Sequence, residues 1–434
     1  MAKRPIKHLR WYIAILLSLA SELNYMDRAT LSVVKEQMQK ALHFDDKGYA
    51  IVGATFLWVY AFAYLAVGWI VDRIGSRKSM LLFVSGWSIA NMLHAFTTGV
   101  TSLAIFRGML ATMEPGSFPA GMKAVSEWFP MRERALATGI FIAGTSLGTT
   151  MAIPIANVIA HQLGWQAAFV ATGFVGLLWV LVWYLVYQTP EHHSLLSDKE
   201  RQLILAGRDL ENRESKEIVS LWRLVQMRET WGCVLARVCT DPISYFLSFW
   251  GPSYIRTKGG YVADHFTEFA WIPFAAMMLG YLFSGAMPRW LMARGWELSA
   301  ARKTTTVCVS LSVLVLWQVL IQVQSPEIAL VIFAAVCFGH GAWGNMAFPA
   351  EVFSKHTVGT VTGLGGFLGA IVGGFLQLWI GSLTAANGKL TEKEYAIIFS
   401  VCSVAYLTAI IGVHLLIGRL GVIREIKPRS VRVT

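Results

Sequence analysis

The chain has 434 residues, 55% of them hydrophobic and only 15% charged, against about a quarter charged in a soluble globular domain. Uncharged runs of about 20 residues, such as "LLFVSGWSIANMLHAFTTGV" and "TTTVCVSLSVLVLWQVLIQV", can each cross a ~30 Å hydrocarbon core as a helix. A soluble domain is excluded, and the lack of ten-residue alternating strands excludes a membrane barrel. The composition predicts an all-α polytopic membrane protein.

Twelve spans are predicted, at about 11–33, 50–71, 79–98, 101–122, 136–158, 164–187, 229–253, 266–290, 304–323, 326–349, 357–384 and 395–418. They divide into an N-terminal six-helix bundle (1–187), a polar linker (188–228) and a C-terminal six-helix bundle (229–434). Span one contains "LNYMDRATLS", with Asp27 beside Arg28. A charge at the bilayer centre costs at least ~2.5–3.5 kcal/mol on insertion scales. Neighbours on a helix point ~100° apart, so these two cannot neutralise each other. Arg28 shares a face with Tyr25 and Asn24, a polar stripe suited to holding a carboxylate, and Asp27 points elsewhere.

Span two is followed by the basic turn "GWIVDRIGSRK". Span four carries Arg107 and Glu114, about two turns apart on one face. They are too far apart to pair directly, which leaves room for a ligand or another helix. Span seven carries Arg237 and Asp241 at i, i+4, expected to pair, with Pro242 loosening the backbone. After span eight, "GAMPRWLMARGWELSAARK" repeats the basic turn, its leading Gly285 lying 217 residues beyond Gly68. A turn recurring at the same place in both halves indicates a duplicated six-helix unit. His340 in span ten is expected to be a hydrogen-bonded packing residue, and Trp250 and Trp343 are candidates for a cavity wall. Span eleven, "GTVTGLGGFLGAIVGG", is rich in the small residues that let helix backbones approach. Charges in spans one, four and seven, the first of successive three-helix blocks, predict a central cavity lined mainly by spans one, four, seven and ten.

Of the 37 lysines and arginines, 26 fall on the side of the tails and the linker and seven on the other. That excess predicts both termini in the cytoplasm. It also accounts for the net charge of +11 without nucleic acid. The five cysteines are scattered without metal-ligand spacing, so no metal or cofactor is expected. No cleavable leader is expected either.

The loop "GWIVDRIGSRK" resembles the major facilitator superfamily signature G-x-x-x-D-x-x-G-x-(R/K)-(R/K). "NYMDRATLSV", "RGMLATMEPGSFPAGMKAVSEWFPMRERALATGIFIAGTSLG" and "ARVCTDPISYFLSFWGPSYI" resemble its anion:cation symporter branch, which includes bacterial hexuronate and galactonate transporters. The resemblance covers most of the chain and implies a role for each matching residue. Arg28 binds the substrate carboxylate, within a substrate-binding set of Tyr25, Arg28, Tyr60, Thr145, Trp343 and Asn345. Asp27 and Glu114 carry protons, and Arg107 modulates Glu114. Gly68, Asp72, Arg73, Gly75 and Arg77 form the conformational motif. The chain departs from the branch at Glu22, at "GTTMAIPIAN", at Ile142 and at Pro115.

The expected function is a proton-coupled symporter importing an organic anion, a hexuronate or aldonate, by alternating access. Moving an anion into a negative-inside cell is opposed by ~2.3 kcal/mol per 100 mV, so an importer must bring a compensating cation. A sodium-coupled or exporting carrier of another carboxylate, or a non-transporting anion receptor, stays open at this stage. No enzymatic nucleophile-base spacing appears. The expected partners are a small anion, protons and the lipid bilayer of the inner membrane, with a monomer as the unit.

Overall fold

The computed structural model of the chain describes residues 5–213, 221–259, 269–345, 347–353, 357–384 and 388–420, less the side chains of 72, 131, 132, 134–136, 206–213, 221, 259 and 350. Twelve helical rods run through these residues. Span one is Leu9–Leu42. Spans two and three form one run, Asp46–Leu93, turned at Gly75, whose φ of 79° and ψ of 166° lie in a region that glycine enters without steric cost. Span four is built of Val100–Met113, a 3-10 turn Glu114–Gly116 and Ser117–Trp128. Spans five and six are Met131–Leu163 and Trp165–Val186. The linker contributes Asp198–Arg213 and Leu221–Val225. Spans seven to nine are Arg228–Gly259, Ile272–Ala293 and Leu298–Gln322. Span ten joins Pro326–Trp343 to Ala347–Val352, and spans eleven and twelve are Val358–Ser382 and Glu392–Ile417. Among the described residues there is no sheet, only an isolated bridge between Ile6 and Leu196.

Eight of these rods are long and apolar enough to cross a membrane on length and composition. The other four are spans one, four, seven and eight, and three of those carry the buried charges predicted from the sequence. Span four is divided by its 3-10 turn into helices of 14 and 12 residues, and spans one and seven are long but carry charges that the fold has turned inward.

Small residues set the packing. Gly144 and Gly148, one turn apart on span five, lie so close to span one that an added Cβ would overlap the carbonyl oxygens of Ser18 and Glu22. Gly280 and Gly341 bring spans eight and ten together in the same way. A few helix starts carry side-chain caps. Asp45 accepts from the Gly48 amide at 2.8 Å, and Thr391 with Glu394 forms a capping box on span twelve. At the linker end, Arg10 donates to Glu133 at 2.7 Å and to Glu200 at 2.6 Å, tying the linker helix to the first half.

The halves meet along span two against eleven, one against seven and five against eight. At the end remote from the linker they are bonded across the seam. The Leu390 amide donates to Asp46 Oδ2 at 2.7 Å and the Asp46 amide to the Gly388 carbonyl at 2.9 Å. Arg256 donates to the Val33 carbonyl at 2.6 Å, and the Tyr49 hydroxyl to the Phe249 carbonyl at 3.0 Å. Lys35 pairs with Asp46 at 2.8 Å and lies over the rings of Tyr49 and Trp250. Trp250 packs edge-on to Tyr49 and donates to Gln377 at 2.6 Å. This plug explains why span one continues past its predicted end to Leu42. Lys35 and Gln39 are buried against Asp46 instead of lying in a wet loop.

Candidate functional site: a buried ion-pair cluster at the seam

Arg28 and Glu114 are buried and meet between spans one and four. The guanidinium donates through Nη2 at 2.6 Å and Nε at 3.0 Å, both to Glu114 Oε2. Glu114 lies in the 3-10 turn that interrupts span four, where Pro115 follows it. Arg107 and Glu114 face span one together, as their spacing of seven predicted. Arg107, fully buried, donates Nη2 to the Arg28 carbonyl at 2.7 Å. Its Nε and Nη1, with Glu114 Oε1, are buried without a hydrogen-bond partner. Buried donors and acceptors are almost always satisfied, so these groups mark a place for a ligand or water.

Aromatic rings surround the arginines. The Arg28 guanidinium carbon lies 4.7 Å from the Tyr25 ring centre, 4.9 Å from Tyr60 and 5.2 Å from Phe56. Phe56 also lies 4.9 Å from that of Arg107. Cation–π contacts hold the planar fork in position without using its donors. Asp27 turns the other way, into the first bundle. Asn91 donates to its Oδ1 at 2.8 Å and is itself held by the Phe169 carbonyl and the Thr172 hydroxyl. Asp27 Oδ2 is buried without a partner. Asp27, Arg28, Arg107 and Glu114 sum to a formal charge of zero.

In the second half, Arg237 and Asp241 pair at 2.7 Å, as their spacing predicted. Asn345 donates to Asp241 Oδ1 at 2.7 Å, just beyond Gly344, whose φ of 67° ends the first helix of span ten. Trp343 lies inside that half, its Nε1 donating to Ser310 at 2.8 Å and its ring against Phe348 and Tyr406. His340 bonds the Tyr406 hydroxyl at 2.8 Å. Thr145 is half-buried on span five and donates to the Ile142 carbonyl at 2.8 Å. The structure thus gathers Tyr25, Arg28, Tyr60, Arg107 and Glu114 at one point. Thr145, Trp343 and Asn345 lie on other helices, away from these contacts.

In the conformational motif, a Cβ at Gly68 would meet nothing within 4 Å. Arg73 stacks over Trp69 at 4.2 Å, and Arg77 donates to the Tyr184 carbonyl at 2.8 Å. The Asp72 side chain lies outside the described residues.

Sequence reasoning missed Asn91 and Thr172, which gather around Asp27, and Tyr64 and Tyr245 near the seam. A lone asparagine in the apolar run "SGWSIANMLHAF" was the available signal for the first. The tyrosines gave none, because an aromatic in a span reads equally as packing.

Twelve helices in two halves, with a buried charged cluster in the first half beside the seam and a plug at one end, define a polytopic membrane carrier. Residues 17–377 match the family model of the Major Facilitator Superfamily, and the chain belongs to that superfamily. It is a transporter and not an enzyme. It is 27% identical over 396 residues to a D-galactonate transporter of Escherichia coli O6:H1, covering 89% of this chain and 92% of that one. Over 445 residues it is 29% identical to a probable galactarate/D-glucarate transporter of Escherichia coli K12, covering 96% and 95%. In fold it matches the crystal structure of a bacterial homologue of the human lysosomal transporter Spinster, with a TM-score of 0.75 at 17% identity over 95% and 98% of the two chains.

Proposed function

We propose that the protein is a proton-coupled importer of a sugar acid in the bacterial inner membrane, with both termini in the cytoplasm. The observation that carries this reading is the Arg28–Glu114 pair, buried at the seam with both of its bonds on one carboxylate oxygen. An entering carboxylate can take the place of Glu114 on the arginine fork, which suits bidentate recognition. The four-charge cluster is formally neutral, so an added anion leaves one uncompensated negative charge in a low-dielectric site. A proton on Glu114 removes it. Burial favours the protonated carboxyl and an arginine opposes it, so the same substitution on Arg28 that binds the anion frees Glu114 to take a proton. Asp27, held by Asn91 behind the cluster, supplies a second carrier.

The relatives that carry galactonate or galactarate/glucarate in their names support a sugar acid as the substrate class. The lysine and arginine excess supports the orientation. With the plug facing outward, the molecule is closed to the periplasm and rocks between halves that share the site. The test is uptake of labelled galactonate or galactarate into sealed vesicles under an imposed pH gradient. Accumulation that follows the gradient and collapses with a protonophore is expected. Accumulation that follows sodium alone, or binding without accumulation, would overturn the reading.

A further inference from the structure

Span seven holds a second arginine for which the proposed cycle has no use. Arg237 is buried, with Nε 2.8 Å and Nη2 2.7 Å from Asp241 Oδ2. Its Nη1 donates to the Thr362 carbonyl at 2.8 Å. Span eleven has been cleared for the pair. A Cβ at Gly366 would lie 3.0 Å from Arg237 Nη1, and one at Gly369 would lie 2.7 Å from Asp241 Oδ2. The second half therefore repeats the arrangement of the first, an arginine bonded to a carboxylate of its own half. A pair serving only to hold span seven to span eleven would need no ionised groups, whose insertion into a bilayer is costly.

The pair also faces the seam. Tyr245 stands eight residues beyond Arg237 in the same helical stripe, about 12 Å along the axis. It packs beside Leu57 of span two at Gly373. On span two, the Tyr60 ring that lies over Arg28 at 4.9 Å is 6.0 Å from the ring of Tyr64, and Phe62 meets Phe367 of span eleven, next to the Gly366 that faces Arg237. Span two thus runs past both arginines, one in each half, with Tyr60, Tyr64 and Tyr245 along its course.

We propose that Arg237 is a second carboxylate anchor, and that the preferred substrate is a dicarboxylate sugar acid bridging Arg28 of the first half and Arg237 of the second. The proposal rests on the reading that Arg28 binds a substrate carboxylate. A monocarboxylate leaves the Arg237–Asp241 pair undisturbed and gains nothing from it. A dicarboxylate replaces Glu114 at one end and Asp241 at the other, and ties together the halves that must move as it crosses.

The experiment compares galactarate with galactonate, which differ only at the terminal carbon, a carboxylate in one and an alcohol in the other. Binding of each to the purified full-length protein is measured by calorimetry. The parent is expected to bind galactarate at least about tenfold more tightly, the effect of one added charge-assisted anchor. Arg237→Gln combined with Asp241→Asn removes both charges together, so neither is left buried and unpaired. That variant should lose the galactarate preference and keep galactonate affinity within about threefold of the parent. A parent without preference for galactarate overturns the proposal whatever the variant does, and leaves the sugar-acid reading standing. An undiminished preference in the double variant overturns it as well, as does equal loss of both ligands. If the parent binds neither acid, the sugar-acid reading fails and the proposal falls with it.

Discussion

Replacing Glu114 by glutamine separates binding from coupling. Glutamine keeps the size and an acceptor oxygen but can neither hold a charge nor release a proton. In the unliganded protein the change leaves Arg28 buried with a neutral acceptor in place of the carboxylate 2.6 Å away. Removing one member of a buried ion pair costs about 3–5 kcal/mol. An entering carboxylate restores the lost charge, so ligand relieves part of that cost in the variant and none of it in the parent. Relief of only a third of it, about 1.4 kcal/mol, raises affinity about tenfold. Glu114→Gln should therefore unfold at a lower temperature without ligand, show a larger thermal shift with sugar acid and bind it about tenfold more tightly. Exchange of internal for external substrate should persist, and uptake driven by a pH gradient should stop. Calorimetry, thermal unfolding and vesicle uptake measure these separately. Unchanged affinity together with proton-driven accumulation like that of the parent would remove Glu114 from the mechanism.

Arg28→Lys supplies one point charge in place of a fork and should weaken sugar-acid binding by about 10–100-fold, or ~1.4–3 kcal/mol, in a protein that still folds; affinity within threefold of the parent by calorimetry would refute the assignment. Asp27→Asn keeps the shape that accepts from Asn91. It should leave folding near the parent while lowering gradient-driven uptake, and full uptake would mean that Asp27 only orients span one. Gly148→Ala sets a methyl against the Glu22 carbonyl and should cost about 1–3 kcal/mol, read as a lower unfolding temperature in detergent. Asp46→Asn strips Lys35 of its counter-charge and weakens the seam to Leu390. Amide exchange at 46–50 and 388–395 should quicken, and unchanged protection there would show that the pair does not hold that end.

The spans were legible because a bilayer leaves so few solutions. Long uncharged runs must be helices, and the repeated basic turns mark the two halves. The charged residues of spans one, four and seven stood out for the same reason, since only an inward-facing role offsets their cost. Which carboxylate answers which arginine was not legible. Arg107 and Glu114 do share a face, and both turn to Arg28, one to its backbone carbonyl and one to its guanidinium, a division that spacing within one span cannot foretell. Lys35 and Asp46 read as residues of a wet loop, and only the meeting of two hairpins buries them. Trp343 looked like a cavity wall because it neighbours polar residues. Its indole instead finds a hydroxyl, Ser310, within its own bundle.

The plug at the end remote from the linker bears on the electrical integrity of the membrane. Its cations are consumed in place, Lys35 by Asp46 and two aromatic faces, and Arg256 by a backbone carbonyl. Trp250 and Tyr49 fill the space between with no exposed surface to speak of, at 0% and 2%. A small ion crossing there would have to shed its hydration among side chains closely packed and largely committed to one another. The carrier therefore behaves as an insulator in this state. On the proposed proton-coupled cycle, charge crosses only on the groups that turn with the halves, so each turnover draws a fixed quantity from the gradient.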